Sequence, residues 1–241
     1  AFCAGMDLKE IVIDEAAGDV RVLVTLDAPD VFEAVSPLLA DVDGDGVVEV
    51  VATVANGNTG ARVVAYSLAD GAVVAETPAI GRGNRWRNQL AIAPVGPGGE
   101  VELIDVQTPH IGGIVQFFRF VPGAGGDPGR FERVGADSTF STHSIGSRNL
   151  DLGIVTDADG DGRLDVVVPS QDQSTLHVLT RTDDSSATAT TEGGVERLFS
   201  VDLGARLSSN LAARSVGDDG AVSYAAGTVD GRVIIWPATA G

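Results

Sequence analysis

Eight carboxylates of the chain fall into two blocks of one pattern. Asp41, Asp43, Asp45 and Glu49 take places 1, 3, 5 and 9 of Asp41-Val42-Asp43-Gly44-Asp45-Gly46-Val47-Val48-Glu49, and the pattern returns 116 residues later with Asp157, Asp159, Asp161 and Asp165. Carboxylates at alternate positions, with a backbone carbonyl at the seventh place (Val47, Arg163), can converge on one hard cation, and glycine at the sixth permits a sharp turn. Three like charges at that spacing repel one another unless a cation lies between them. The chemistry read from both blocks is calcium binding at two sites. A site filled by protein oxygens leaves little room for a substrate, so its role is structural. An EF-hand would need a bidentate Glu at the twelfth place, where Ala52 and Val168 stand. Val-rich runs follow both blocks, so each leads into a strand.

A second pattern lies nine residues upstream of the loop starts. There Arg85, Arg148 and Arg206 recur in Gly83-Asn84-Arg85, Gly146-Ser147-Arg148 and Gly204-Ala205-Arg206, while Phe32 takes the place before Asp41. Guanidinium forks at equivalent places of successive repeats can hold a carboxylate or phosphate, with Asn84, Trp86, Arg87 and Asn149 adding stacking and hydrogen bonds. The competing reading pairs each arginine with a neighbouring carboxylate or backbone carbonyl. His110, in Thr108-Pro109-His110-Ile111, and His143, five residues before Arg148, could reach the same face and serve in acid–base chemistry or pH sensing. Nucleophile elbow, HExxH, phosphate loop and paired cysteine ligands are all missing from the sequence, and the reading is non-enzymatic.

The elements that must position these groups are repeats. Each consists of an apolar strand, a loop, a β-branched strand, a polar turn and a further strand. One runs from Leu38 through the Asp41 loop and the 55–60 turn to Tyr66, and another from Leu152 through the Asp157 loop to Leu179. In a third the loop has decayed: Pro94, Gly96 and Gly98 replace the ligands, while Glu102 keeps the ninth place. A fourth has Ser215, Gly217 and Asp219 where carboxylates would be needed. Neither decayed loop should bind calcium. Loop starts at 41, 94, 157 and 215 give spacings of 53, 63 and 58, too long for a solenoid coil and suited to a four-stranded propeller blade. No run combines helical periodicity with capping beyond a short turn. The polar 183–194 segment reads as an exposed loop.

The motif Asp-x-Asp-Gly-Asp-Gly-x-x-Asp/Glu followed by a Val-rich strand resembles the FG-GAP/VCBS repeats of integrin-α-type β-propellers, strongly in two repeats and weakly in three. The resemblance implies an all-β propeller of four-stranded blades in one domain over 1–241, with repeats of roughly 1–30, 31–85, 86–145, 146–205 and 206–241. It also implies a calcium-binding loop between the two inner strands of a blade. One site would be Asp41, Asp43, Asp45, the Val47 carbonyl and Glu49, the other Asp157, Asp159, Asp161, the Arg163 carbonyl and Asp165. Family propellers usually have seven blades. With about five repeats the chain either closes as a five-bladed ring or forms part of a larger propeller. On a ring, Arg85, Arg148 and Arg206 would face one mouth of the channel.

Composition limits the partners. A formal charge of −18 and a pI near 4.3 exclude a nucleic-acid or anionic-membrane footprint. Cys3 is the only cysteine, so no intrachain disulfide can form. No run approaches the roughly 18 apolar residues of a membrane span. Weak calcium loops suit millimolar calcium, so the protein is expected to be extracellular or periplasmic, its signal peptide outside this sequence. The function expected is a binding or interaction module. A protein partner is favoured over a glycan, since two Trp and two Tyr supply few sugar-stacking faces. The alternatives are a lectin-like propeller, a hydrolase or lyase acting on an acidic substrate at the channel mouth, and a subunit of a larger assembly.

Overall fold

The computed structural model describes residues 10–15, 19–33, 36–83, 85–183, 191–215 and 222–237. All regular structure among them is β, with no helix. A hairpin of β1 (Glu10–Glu15) and β2 (Asp19–Thr25) comes first. A ten-stranded sheet follows, with its longest path over eight strands. It consists of two antiparallel meanders. The first is β4 (Leu38–Ala40), β5 (Glu49–Ala55), β6 (Arg62–Ser67) and β7 (Val73–Glu76), with the two-residue β3 (Val31–Phe32) also on β5. The second is β8 (Arg87–Ala93), β9 (Glu102–Gln107), β10 (Gly113–Val121) and β11 (Gly129–Phe140). Only the parallel pairs Gly129 with Ala75 and Arg130 with Glu76 join the two.

A four-stranded sheet follows: β12 (Ile154–Thr156), β13 (Asp165–Pro169), β14 (Thr175–Arg181) and β16 (Val195–Asp202), while β15 (Thr191–Glu192) pairs back onto β11. The last sheet has three strands, β17 (Ala212–Ser215), β18 (Val222–Gly227) and β19 (Val233–Pro237).

Sequence pattern follows depth in the sheets. The second strands β5, β9 and β13 are rich in apolar residues and buried on nearly every residue, as strands covered on both faces are, with Thr53 and Asp105 as buried polar exceptions within them. The outer strand β16 alternates half-buried and exposed residues after the buried Val195. Successive sheets pack face to face. Val51, Val63 and Ala65 of the first meander meet Leu103, Phe118 and Phe131 of the second. Phe117, Ile104 and Phe140 of the second meet Val166, Val168 and Leu179 of the next sheet. Leu176, Val178 and Leu203 then meet Tyr224 and Ala226 of the last. The first strands β4, β8, β12 and β17 lie side by side in chain order.

Polar side chains pin the stack. Gln89 accepts from the Thr53 hydroxyl at 2.8 Å and donates to the carbonyls of Ser36 and Val51. Arg197 on β16 forks onto the buried Asp137 of β11 at 2.6 and 2.8 Å and lies over the Phe140 ring. Such forks fix the angle at which neighbouring sheets meet as well as their spacing.

Because Phe117 is fully buried between two sheets, Phe117→Ala is expected to cost about 3–5 kcal/mol of unfolding free energy. Leu39, 66% exposed, should accept alanine within about 0.5 kcal/mol. Urea midpoints of the two variants check the pair, and equal midpoints would contradict the packing described.

Candidate functional site

The strand order divides candidate chemistry between two ends. Turns from first to second strand of each sheet, including both acidic loops, lie at one end. Turns from second to third strand, and the connectors from one sheet to the next, lie at the other.

At the first end the two acidic loops have the same internal bonding. Gly44 and Gly46 donate to the two oxygens of Asp41 at 2.7 and 3.0 Å, and Gly160 and Gly162 do so to Asp157 at the same distances. Val47 donates to Asp45 and Arg163 to Asp161, both at 2.7 Å. These four glycines have φ between 79° and 89°, where a side chain would be strained although nothing crowds the Cβ position. The bonding turns the carboxylates inward. Oxygens of Asp41, Asp43 and Asp45 lie within 4.8 Å of one another, and so do those of Asp157, Asp159 and Asp165. An all-oxygen donor set of this charge and spacing fits a calcium ion.

The ninth residue closes each loop from below. Glu49 and Asp165 are buried and accept the backbone N–H of the second loop residue, Val42 at 2.8 Å and Ala158 at 3.1 Å. Burial pushes both acids up, Asp165 to about 6, and the neighbouring aspartates Asp159 and Asp161 add to this. In the second meander the equivalent Glu102 is equally buried and is met by cations from the chain itself. Arg119 Nε bonds one of its oxygens at 2.9 Å and Arg181 Nε the other, also at 2.9 Å. Arg181 is itself buried over the Phe117 ring, with its other nitrogens on the carbonyls of Val134, Gly193 and Gly194. Val95, the second residue of this loop, bonds Ala93 instead of Glu102. The decayed loop thus keeps the buried acid and gives it two guanidinium partners.

At the opposite end a cleft of about 730 Å³ opens between the first meander and the connector ahead of the second. Arg82, Arg85, Trp86, His110, Ile145 and Glu33 stand on its walls. Trp86 stacks on His110 with ring centres 6.2 Å apart, and His143 meets both edge-on at 4.8 and 5.8 Å. Burial holds both imidazoles below the usual histidine range, and for His143 the neighbouring His110 adds to this, so both are neutral at pH 7. The sequence gives no spacing that links His110 to His143, yet the fold brings them together. His177 packs on Phe140 instead.

The three arginines of the upstream pattern part company. Arg85 is on the cleft and donates to the Ile80 carbonyl at 3.0 Å. Arg206 bonds Gln173 and the Ser144 hydroxyl, beside His143. Arg148 is exposed and makes no side-chain bond to another described residue. Arg87 is buried in a pair with Asp105 at 2.9 Å. Asn149 donates to the Ser208 carbonyl at 2.6 Å. Asn84 and the 216–221 loop lie outside the described residues. Backbone bonding also shifts the equivalence: Thr108 N–H bonds the Trp86 carbonyl as Val229 N–H bonds that of Arg206, so Trp86 matches Arg206 in place. Five steps from Leu207 to Ala212 face three from Thr228 to Ala225, whereas β8 carries one extra residue between Gln89 and Ala91, so counting back from the loops misplaces the pair. Sequence reading also passed over Arg82, Glu33 and the Arg119–Glu102–Arg181 group, whose members meet only through the fold.

No protein-family model matches this sequence, and no curated protein matches it.

Arg181→Met leaves the buried Glu102 with half its cationic partners and should cost about 3–5 kcal/mol. Adding Glu102→Gln should recover part of that loss, a coupling readable in a double-mutant cycle of urea unfolding. An Arg181→Met variant as stable as wild type would show that the pair carries no weight.

Proposed function

We propose that the chain is a calcium-braced binding module of the β-propeller type, of FG-GAP/VCBS kind, working outside the cytosol. The observation that carries this is the pair of acidic loops with matching internal bonds at the same end of two sheets. Face-to-face stacking in chain order, with β4, β8, β12 and β17 adjacent, supports reading each sheet as a blade. In the first loop Asp41, Asp43, Asp45 and Glu49 would hold the ion, in the second Asp157, Asp159, Asp161 and Asp165. When bound, calcium neutralises each acidic cluster. The chain's own contribution is to fix the oxygens through glycine amides and to seat the ninth acid under the loop.

Recognition then belongs to the other end, where loop and connector residues are free of bracing duty. A cleft of about 730 Å³ lies within the range of small-molecule sites, which favours a small ligand over a flat protein surface. Binding is favoured over catalysis because His143 is only 1% exposed and neither it nor His110 has a carboxylate partner to orient its ring among the described residues.

Thermal unfolding tests the bracing. If the loops have the affinity of extracellular modules, saturating calcium should raise the melting temperature over chelator by on the order of 10 °C. Asp43→Asn and Asp159→Asn should each remove about half of that shift. A melting temperature indifferent to calcium and chelator would overturn the proposal.

A further inference from the structure

The geometry points to a small organic oxyanion, a carboxylate or phosphate head on an apolar or ring body, as the ligand of the cleft beside Trp86. The inference deepens the binding-module reading and does not depend on whether the loops hold calcium, since they lie at the opposite end of the strands.

Charge sets the first constraint. In a chain of net charge −18, this cleft places the guanidinium groups of Arg82 and Arg85 on its walls against the single carboxylate of Glu33, which has a partner of its own. Both histidines nearby are neutral, so they neither add to the positive charge nor oppose it. The two arginines are also oriented in advance. Arg82 spends Nε on the Asn58 carbonyl at 2.9 Å and Arg85 spends Nη1 on the Ile80 carbonyl at 3.0 Å. Neither bonds a carboxylate, in contrast to Arg62, Arg87, Arg119, Arg181 and Arg197, each paired with an acid. Their remaining N–H donors are left without a protein partner among the described residues. Such donors, held on one wall, match an oxyanion better than a neutral polar group.

Shape sets the second constraint. Gly57 and Gly83 line the cleft with open space where a side chain would stand, so a ligand can approach the backbone closely. Pro29, Val31, Trp86 and Ile145 give it apolar contact, and Ile145 is 59% exposed although large and apolar. Trp86, 8% exposed, is held by the rings of His110 and His143, so its position is fixed before a ligand arrives. A bare inorganic anion would leave the apolar walls unused, whereas an anion with a ring or alkyl body uses both.

Trp86 can report the binding. Trp236, the other tryptophan, stacks on Tyr224 in the last sheet, so a Trp236→Phe chain carries one indole, at the cleft. Titrating that chain with benzoate and with phenyl phosphate should give saturable fluorescence changes for at least one, which also tells carboxylate from phosphate. Benzamide, of the same shape and no charge, should bind about tenfold more weakly or worse. Arg82→Ala with Arg85→Ala should weaken the anion about tenfold or more, and Arg148→Ala should leave it unchanged. Calorimetric titration of the wild-type chain gives the same comparison should Trp236→Phe disturb the last sheet. Absence of saturable binding by either anion, or equal binding of benzamide, would overturn the inference. The calcium dependence of melting reads the bracing separately.

Discussion

An acid is buried at the base of the first hairpin in both meanders and in the four-stranded sheet, and the structure is arranged around keeping it there. Glu49, Glu102 and Asp165 are 1%, 0% and 2% exposed. A carboxylate in that position is costly unless charge or hydrogen bonds compensate it. In two of the loops the acid lies under a cluster of aspartates whose oxygens converge, and a backbone amide fixes its orientation. The third answers with Arg119 and Arg181, and Arg181 comes from the neighbouring sheet. On the calcium proposal the same need would be met by metal within one sheet, and in the second meander it is met by guanidinium groups, one of them from the next sheet. The second solution also ties the second meander to the sheet that follows it, because Arg181 sits on β14 and Glu102 on β9.

This arrangement separates the acidic loops from the proposed recognition cleft along the strands. The bracing groups gather at one end, where loops are short and their carboxylates turn inward. Connectors and second-to-third-strand turns cross the other end and carry Arg82 and Arg85, which bond only backbone carbonyls, and the Trp86–His110–His143 ring group. Sheet stacking lets that end vary without loss of core, since the buried contacts run between the faces of the strands and not through their tips.

Much of the fold was legible in the residues. Continuous Val-rich runs after each acidic loop become β5 and β13, buried on both faces, and the decayed loop at Pro94 still leads into β9. Glycines at the fourth and sixth places of both intact loops take the positive φ that the turn requires. The far end was less legible. The arginine nine residues before three of the four loop starts is a property of the chain, but irregular pairing of the first strands breaks its register, and Arg148 and Arg206 do not line the cleft that holds Arg85. Similarly, nothing in the sequence relates Arg181 to Glu102 across 79 residues, because packing between sheets brings them together, and while His110 and His143 read as reaching one face, their direct ring contact was not legible. Local pattern encodes strands and turns, whereas contacts between sheets depend on how faces meet.

The claim at the centre is that buried acids in two loops are compensated by metal and in the third by arginine. Calorimetric titration of chelator-stripped protein with calcium tests it most directly. Two ions per chain are expected, falling to one in Asp43→Asn or Asp159→Asn and staying at two when Glu102 is replaced by Gln. No bound calcium, or a stoichiometry unmoved by either aspartate substitution, would contradict it.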